Sequence, residues 1–541
     1  MFSTAVAGLL AACSPAVASA QPLKPDAPKL IVAISVDQLA SDLWDEYRPH
    51  FRGGFARLAG GAVYRNGYQS HAATETCPGH STLLTAKRPA SNGIVANTWI
   101  DQNAARDDKT IYCAEDPSVP GSTSRAYTVS PRHLSAATLG ELLKARTPAS
   151  RNVAVAGKDR SAVMMSGRAV DQRWYWDGTT FATDLKGAAV PRSVNSAKQA
   201  IAAMVAAGSP PLEAPPLCQA RARAYQLTPA LKVGDNRLGR AAGDVRQFRI
   251  SPALDGATLA LSAALVQEMG LGKGPATDIL SIGLAATDYV GHAYGSGGME
   301  MCLQLLALDR ELGDFLARLD QSGVDYAVVL TSDHGVMDIP ERLRDKGVAS
   351  AARAEPGLAA AELGKLLAPQ FGRTESVLKG IGIGADIWVD AGVPAAQKPA
   401  VLKAAKDRYT AHPQVFAAYT TAEVMAVPMP SGPPDRWSII QRVRASFDPA
   451  RSGDLYVVLK EHVSPIATPS SGYVATHGSP WDHDRRVPIL FWRGGMAPAA
   501  SEQAIETIDI MPTLAAMIGL PLQAGPAEGR CLSVQGPACP R

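Results

Sequence analysis

The stretch Lys29-Leu30-Ile31-Val32-Ala33-Ile34-Ser35-Val36-Asp37 decides the fold. Apolar residues occupy both alternating sets of positions, so a strand here has no solvent face. Strands of that kind belong to parallel sheets covered on both sides. Residues 277–284 (TDILSIGL), 325–330 and 487–492 repeat the pattern. Helical patterns lie at 257–269 and 299–319, between these runs. Strands alternating with helices predict an α/β fold, a central mostly parallel sheet with helices on both faces.

The polar residues fall at telling places. Asp37, Asp288 and the pair Asp333-His334 each come just after an apolar strand, and His477 comes just before one. In open parallel sheets, ligands bind beyond the carboxyl ends of the strands. Asp288 and His292 stand four residues apart, one helical turn, and would face the same way. Carboxylate and imidazole together suit zinc, with an open position left for substrate. Each fragment alone reads better as a surface pair or an ordinary turn; their joint placement favours a metal site. Thr76, in Glu75-Thr76-Cys77-Pro78-Gly79-His80, reads as a helix N-cap with Pro78 in the first turn. The same geometry would offer backbone N–H groups to a phosphate, and a metal-bound hydroxyl there would be a nucleophile.

The chain's 541 residues are 46% hydrophobic, ample for a large core. With 53 basic and 50 acidic residues the net charge is +3, and no long cationic run occurs. Nucleic acid and anionic membrane are therefore not expected as bulk partners. Residues 1–20 carry no charge and end in Ala-Ser-Ala, like a secretory cleavage site, although the usual basic start is missing. A lipoprotein-like Leu10-Ala11-Ala12-Cys13 is the minor alternative, with a tether at Cys13. Residues 21–28 are Pro-rich and read as a linker. Six cysteines remain, Cys77, Cys113, Cys218, Cys302, Cys531 and Cys539, an even number that suggests disulfides. Their pairing stays open, apart from a plausible local Cys531–Cys539 closure. No later run is long and apolar enough for a transmembrane helix. Stretches at about 100–250 and 340–470 read as insertions over the active-site edge of a single catalytic domain spanning 21–541; residues 359–368 read as ordinary helix.

Taken in order, Val36-Asp37, Thr76-Cys77-Pro78-Gly79-His80, Gly93-Ile94-Val95-Ala96-Asn97, Gly157-Lys158-Asp159-Arg160, Asp288 with His292, Ser332-Asp333-His334-Gly335, His477-Gly478-Ser479-Pro480 and the run 507–514 carry a resemblance. The sequence resembles the alkaline phosphatase superfamily, in its type I phosphodiesterase/nucleotide pyrophosphatase branch, and is most similar there to bacterial alkaline phosphatases with a threonine nucleophile. The resemblance implies an exported phosphoric monoester hydrolase, periplasmic or secreted, acting on small phosphate esters through a phosphothreonine at Thr76. It implies two Zn²⁺ per chain. Asp288, His292 and His477 would hold one; Asp37, Asp333, His334 and the Thr76 oxygen would hold the other. Asn97, Lys158 and Arg160 would bind the phosphate, the two cations reading the extra charged oxygen of a monoester. His80 is left as a structural histidine, His483 as a neighbour of the ligands or simply exposed, and Trp174 and Trp176 as packing or a substrate rim.

Other readings differ at specific residues. A phosphodiesterase would keep the metals and Thr76 but have no need of Lys158 and Arg160. A sulfatase would need C-x-P-x-R, and here Pro78 directly follows Cys77. A phosphoglycerate mutase of this superfamily would use serine. A silent binding protein on the same scaffold should lack the nucleophile or several ligands, and this chain retains them. Oligomeric state is not legible.

Overall fold

The computed structural model describes residues 26–522, 528–534 and 539. The leader at 1–20, Cys13 and most of the 21–28 linker lie outside them. A ten-stranded sheet forms the centre. Its parallel heart is Gln172–Trp176, Asn152–Ala156, Asp278–Leu284, Leu30–Val36 and Tyr326–Thr331, side by side in that order. Arg486–Arg493 then pairs antiparallel with Tyr326–Thr331 and, on its other side, with Ala62–Tyr68.

The strand read first explains both layers. Leu30, Val32, Ile34 and Val36 join one buried cluster with the helices Pro252–Met269 and Met299–Gln321. Ile31 and Ala33 point the other way, into a cluster with Leu83, Leu139, Leu143 and the helix Ile510–Ile518. Successive strand side chains alternate between faces, so one seven-residue strand is apolar throughout because it feeds two cores.

Within 100–250, read from the sequence as an insertion, three segments belong to the central sheet itself: Asn152–Ala156, Gln172–Trp176 and Phe181–Ala182. Their runs are short and set among Ala, Pro and Arg, so the pattern was too brief to stand out. Hairpins at 98–112 and 225–233 do stand off the sheet. The 340–470 stretch builds its own four-stranded antiparallel sheet from Leu378–Gly380, Ala385–Val389, Leu455–Leu459 and Val415–Thr420, over a separate core. The helix expected at 359–368 runs Ala360–Leu367. Disulfides join Cys77 to Cys113, Cys218 to Cys302 and Cys531 to Cys539. No helix among the described residues is long and apolar enough to cross a membrane.

Candidate active site

The topology gathers the polar residues at one edge. Asp37 ends Leu30–Val36, Asp288 opens the helix after Asp278–Leu284, and Asp333-His334 follow Tyr326–Thr331. Arg486–Arg493 runs the other way, so its start lies at the edge where its neighbours finish. That reversal brings His477, which precedes a strand, to residues that follow strands. The loop leaving Ala62–Tyr68 delivers Thr76 as the first residue of the helix Thr76–Leu83. Glu75 takes the N-cap position, so Thr76 is one residue further in than the sequence reading had it.

Asp288, on the helix Ala286–Tyr294, has its Oδ1 3.3 Å from His292 Nε2 and 3.4 Å from His477 Nε2. His334 Nε2 is 3.2 Å from Asp333 Oδ2 and 4.0 Å from Asp288 Oδ1, so it stands between the two acids. Its ring stacks on His477 with centroids 3.5 Å apart. Potential ligand atoms fall into two tight groups, Asp288/His334/His477 and Asp37/His80/Asp333. His292 joins the first through Asp288.

The side chains fit metal ions. His292, His334 and His477 turn Nδ1 to a backbone carbonyl, of Ala475, Gly335 and Thr74, at 2.8, 3.0 and 2.8 Å. A carbonyl only accepts, so each Nδ1 carries the hydrogen and each Nε2 keeps a lone pair for a cation placed between it and the acids. His334 Nε2, Asp333 Oδ2 and both oxygens of Asp37 are buried and make ionic contacts but no aligned hydrogen bond. Three fully buried carboxylates at one point demand cations. Burial, only partly offset by Asp333, pushes the His334 imidazole down to about 3, which keeps it neutral as a ligand must be. Burial pushes the Asp288 carboxyl up, but His292 and Lys158 outweigh it and hold the group well below the usual range.

Three further residues shape the site: His80, read from the sequence as structural, Glu75, given no metal role there, and Gln38, not singled out. His80 lies 3.3 Å from Asp37 and 3.2 Å from Asp333. Burial disfavours its charge, yet the two acids outweigh burial and raise the imidazole to about 10. It is one helical turn from Thr76, a spacing that could have placed it on the same face. Gln38 has φ 70° and spans both groups, its N–H 3.1 Å from Asp333 Oδ1 and its Nε2 2.9 Å from Asp288 Oδ1. Glu75 Oε2 accepts the Asn97 N–H at 2.6 Å, while Asn97 Oδ1 accepts the Cys77 N–H at 2.8 Å.

The phosphate-reading candidates also converge. Lys158 Nζ is 2.6 Å from Asp288 Oδ2, 3.0 Å from Asp37 Oδ2 and 3.4 Å from Thr76 Oγ1. Arg160 Nη2 is 3.4 Å from the same hydroxyl. Asp159 turns away to Tyr112 and Tyr127, and Arg160 Nε is buried without a partner. A cleft of about 440 Å³ opens above, with Glu75, Thr76, Asn97, Arg160, His292 and His477 on its floor. Its far wall, from the 340–470 stretch, is mostly apolar. Trp174 and Trp176 are packing residues: both are buried, and Trp176 stacks on Phe248. Tyr473 takes the place at the mouth, 5.3 Å from the His292 ring.

A parallel sheet with a hydroxyl, acids, imidazoles and cations at its carboxyl edge is the plan of a hydrolase acting on phosphoric esters. The chain belongs to the type I phosphodiesterase / nucleotide pyrophosphatase family, whose model matches residues 31–480. It is 50% identical over 510 residues to the alkaline phosphatase PhoK of Sphingomonas sp, covering 94% of this chain and 91% of that one. It is 43% identical over 525 residues to the alkaline phosphatase PhoD of Zymomonas mobilis, covering 95% and 89%. The crystal structure of the alkaline phosphatase PafA superposes with a TM-score of 0.79 at 25% identity, over 94% of this chain and 98% of that one. The expected family and fold class are thus both borne out.

Proposed function

We propose that this chain is an exported alkaline phosphatase that hydrolyses phosphate monoesters with Thr76 as nucleophile. One observation carries the reading: Lys158 Nζ and Arg160 Nη2 both stand 3.4 Å from Thr76 Oγ1, beside two carboxylate–imidazole groups. Two Zn²⁺ per chain would lower the pKa of the Thr76 hydroxyl and stabilise the leaving oxygen. Asp288, His292 and His477 would hold one; Asp37, Asp333, His334 and Thr76 the other, with His334 near both.

The protein's own groups do the rest. Thr76 Oγ1 attacks phosphorus in line, the ester oxygen leaves, and water then hydrolyses the phosphothreonine. Asn97, fixed by Glu75 and the Cys77 N–H, contacts a non-bridging oxygen. A monoester is a dianion at neutral pH, and Lys158 and Arg160 supply charge that a diester does not require. The apolar far wall would suit the second ester group of a diester, so phosphodiester hydrolysis is the rival activity. Three disulfides accord with an oxidising, periplasmic or secreted location. Hydrolysis of an aryl monoester by wild type and Thr76→Ala, with metal analysis of both, tests the reading. We expect turnover to collapse in the variant while fold and two equivalents of zinc persist. Undiminished turnover would exclude Thr76 as nucleophile.

A further inference from the structure

A second group of metal-binding side chains lies at the rim of the same cleft. Glu461 and His462 follow Leu455–Leu459, the strand that forms the cleft's far wall. His483 lies in the short helix Asp482–Arg485, just before the central-sheet strand Arg486–Arg493. One ligand atom from each of the three lies within 4.8 Å of the others. The two imidazole rings face one another, with centroids 5.8 Å apart and planes 25° off parallel. Both line the cleft, and Glu461 is exposed.

From this juxtaposition we propose that Glu461, His462 and His483 form a separate zinc site that staples the 340–470 sheet to the catalytic sheet. Two imidazoles and one carboxylate are a set zinc accepts, leaving a fourth position to water. Zinc–ligand bonds of about 2.0–2.1 Å put ligand atoms roughly 3.3 Å apart. Rotation of the exposed Glu461 side chain, with small ring movements, closes the remaining gap. The backbone at His462 agrees with a functional constraint. It holds φ 65°, a region that residues other than glycine seldom occupy. Its carbonyl is anchored by the Ala352 N–H at 3.0 Å.

The staple has leverage on the nucleophile's surroundings. His483 Nε2 is 3.3 Å from Ser479 Oγ, and the Ser479 carbonyl accepts the Thr74 hydroxyl at 2.8 Å. An ion on His483 therefore stiffens the segment bearing His477 and the approach to Thr76. This site shares no side chain with the groups assigned to the catalytic metals, so it stands whether or not the proposed reaction is correct.

Equilibrium dialysis of the holoprotein against rising buffered zinc tests it. Wild type should bind one more zinc per chain at saturation than the double variant His462→Ala/His483→Ala. Glu461→Gln should keep that equivalent but bind it more weakly. Superimposable isotherms for all three proteins would overturn the site. Hydrogen exchange on wild type, which does not depend on any variant folding, gives a second readout. Amides at 460–464 should slow between the zinc concentrations that fill the cleft and those that fill the rim; unchanged exchange there would also overturn it.

Discussion

Arg160→Ala separates the two ester classes. The guanidinium reaches the Thr76 hydroxyl from the side, and Asp159 is occupied by Tyr112 and Tyr127 rather than by this arginine. Its Nε is buried without a hydrogen-bond partner and its Nη2 faces the Thr76 hydroxyl, so the fork points to where a phosphate on Thr76 would sit. Hydrogen bonds to a charged partner contribute about 1.5–3 kcal/mol each, and a guanidinium can make two. Lys158, 3.4 Å from the same hydroxyl, retains part of the charge when Arg160 is lost. The net loss should be about 3–4 kcal/mol, roughly 100- to 1000-fold in kcat/KM for an aryl phosphate monoester. A matched aryl diester lacks the third charged oxygen and should lose less than about tenfold. Arg160→Lys should recover little, because a point charge cannot replace the planar fork. The assay is kcat/KM for both substrates with the three proteins at equal zinc. Equal losses on monoester and diester would refute the argument that this side chain reads the extra charge.

Three other perturbations probe the scaffold. Glu75→Ala removes the 2.6 Å acceptor of the Asn97 N–H and should cost about 1.5–3 kcal/mol of transition-state stabilisation, whereas Glu75→Gln should recover most of it; equal kcat/KM for the two would count against the clamp. A Cβ on Gly79 would lie 2.0 Å from the Asp333 carbonyl oxygen, so Gly79→Ala should cost at least about 1–3 kcal/mol in thermal unfolding; an unchanged Tm would contradict that close approach. Burial raises the Asp255 carboxyl to about 7, against the Ala286 N–H and Gln304 Nε2 that bond to it at 2.9 and 3.0 Å. The folded chain then keeps a proton that the unfolded chain releases near pH 4. This stability is full below about pH 4 and is lost as pH rises toward 7, at about 1.4 kcal/mol per unit. Asp255→Asn should remove that slope from urea midpoints measured across the window, and an identical slope would show that Asp255 titrates normally.

Strand runs and their flanking acids were legible because a doubly buried strand leaves an unbroken apolar signature and Asp37, Asp288 and Asp333 interrupt it at its end. Motif order supplied Lys158, Arg160 and Asn97, and the structure brings all three to the Thr76 side of the cleft. Gln38 was hidden because its role depends on a left-handed backbone that sequence does not announce for glutamine. His80, read as structural, is buried one helical turn from Thr76 and packed between Asp37 and Asp333. The short Asn152–Ala156 and Gln172–Trp176 strands were lost in a mixed neighbourhood, since five residues give too little period to recognise.

Asn97 is held from both ends of one covalent link. Its Oδ1 takes the Cys77 N–H, its carbonyl takes the Cys113 N–H at 2.9 Å, and a disulfide joins those two cysteines. Such a bond forms and lasts only where thiols are oxidised. Cys77, next to Thr76, thus ties the position of Asn97 to the redox state of the surroundings. Without that disulfide, the Cys77 and Cys113 segments that hold the two ends of Asn97 would lose their covalent tie.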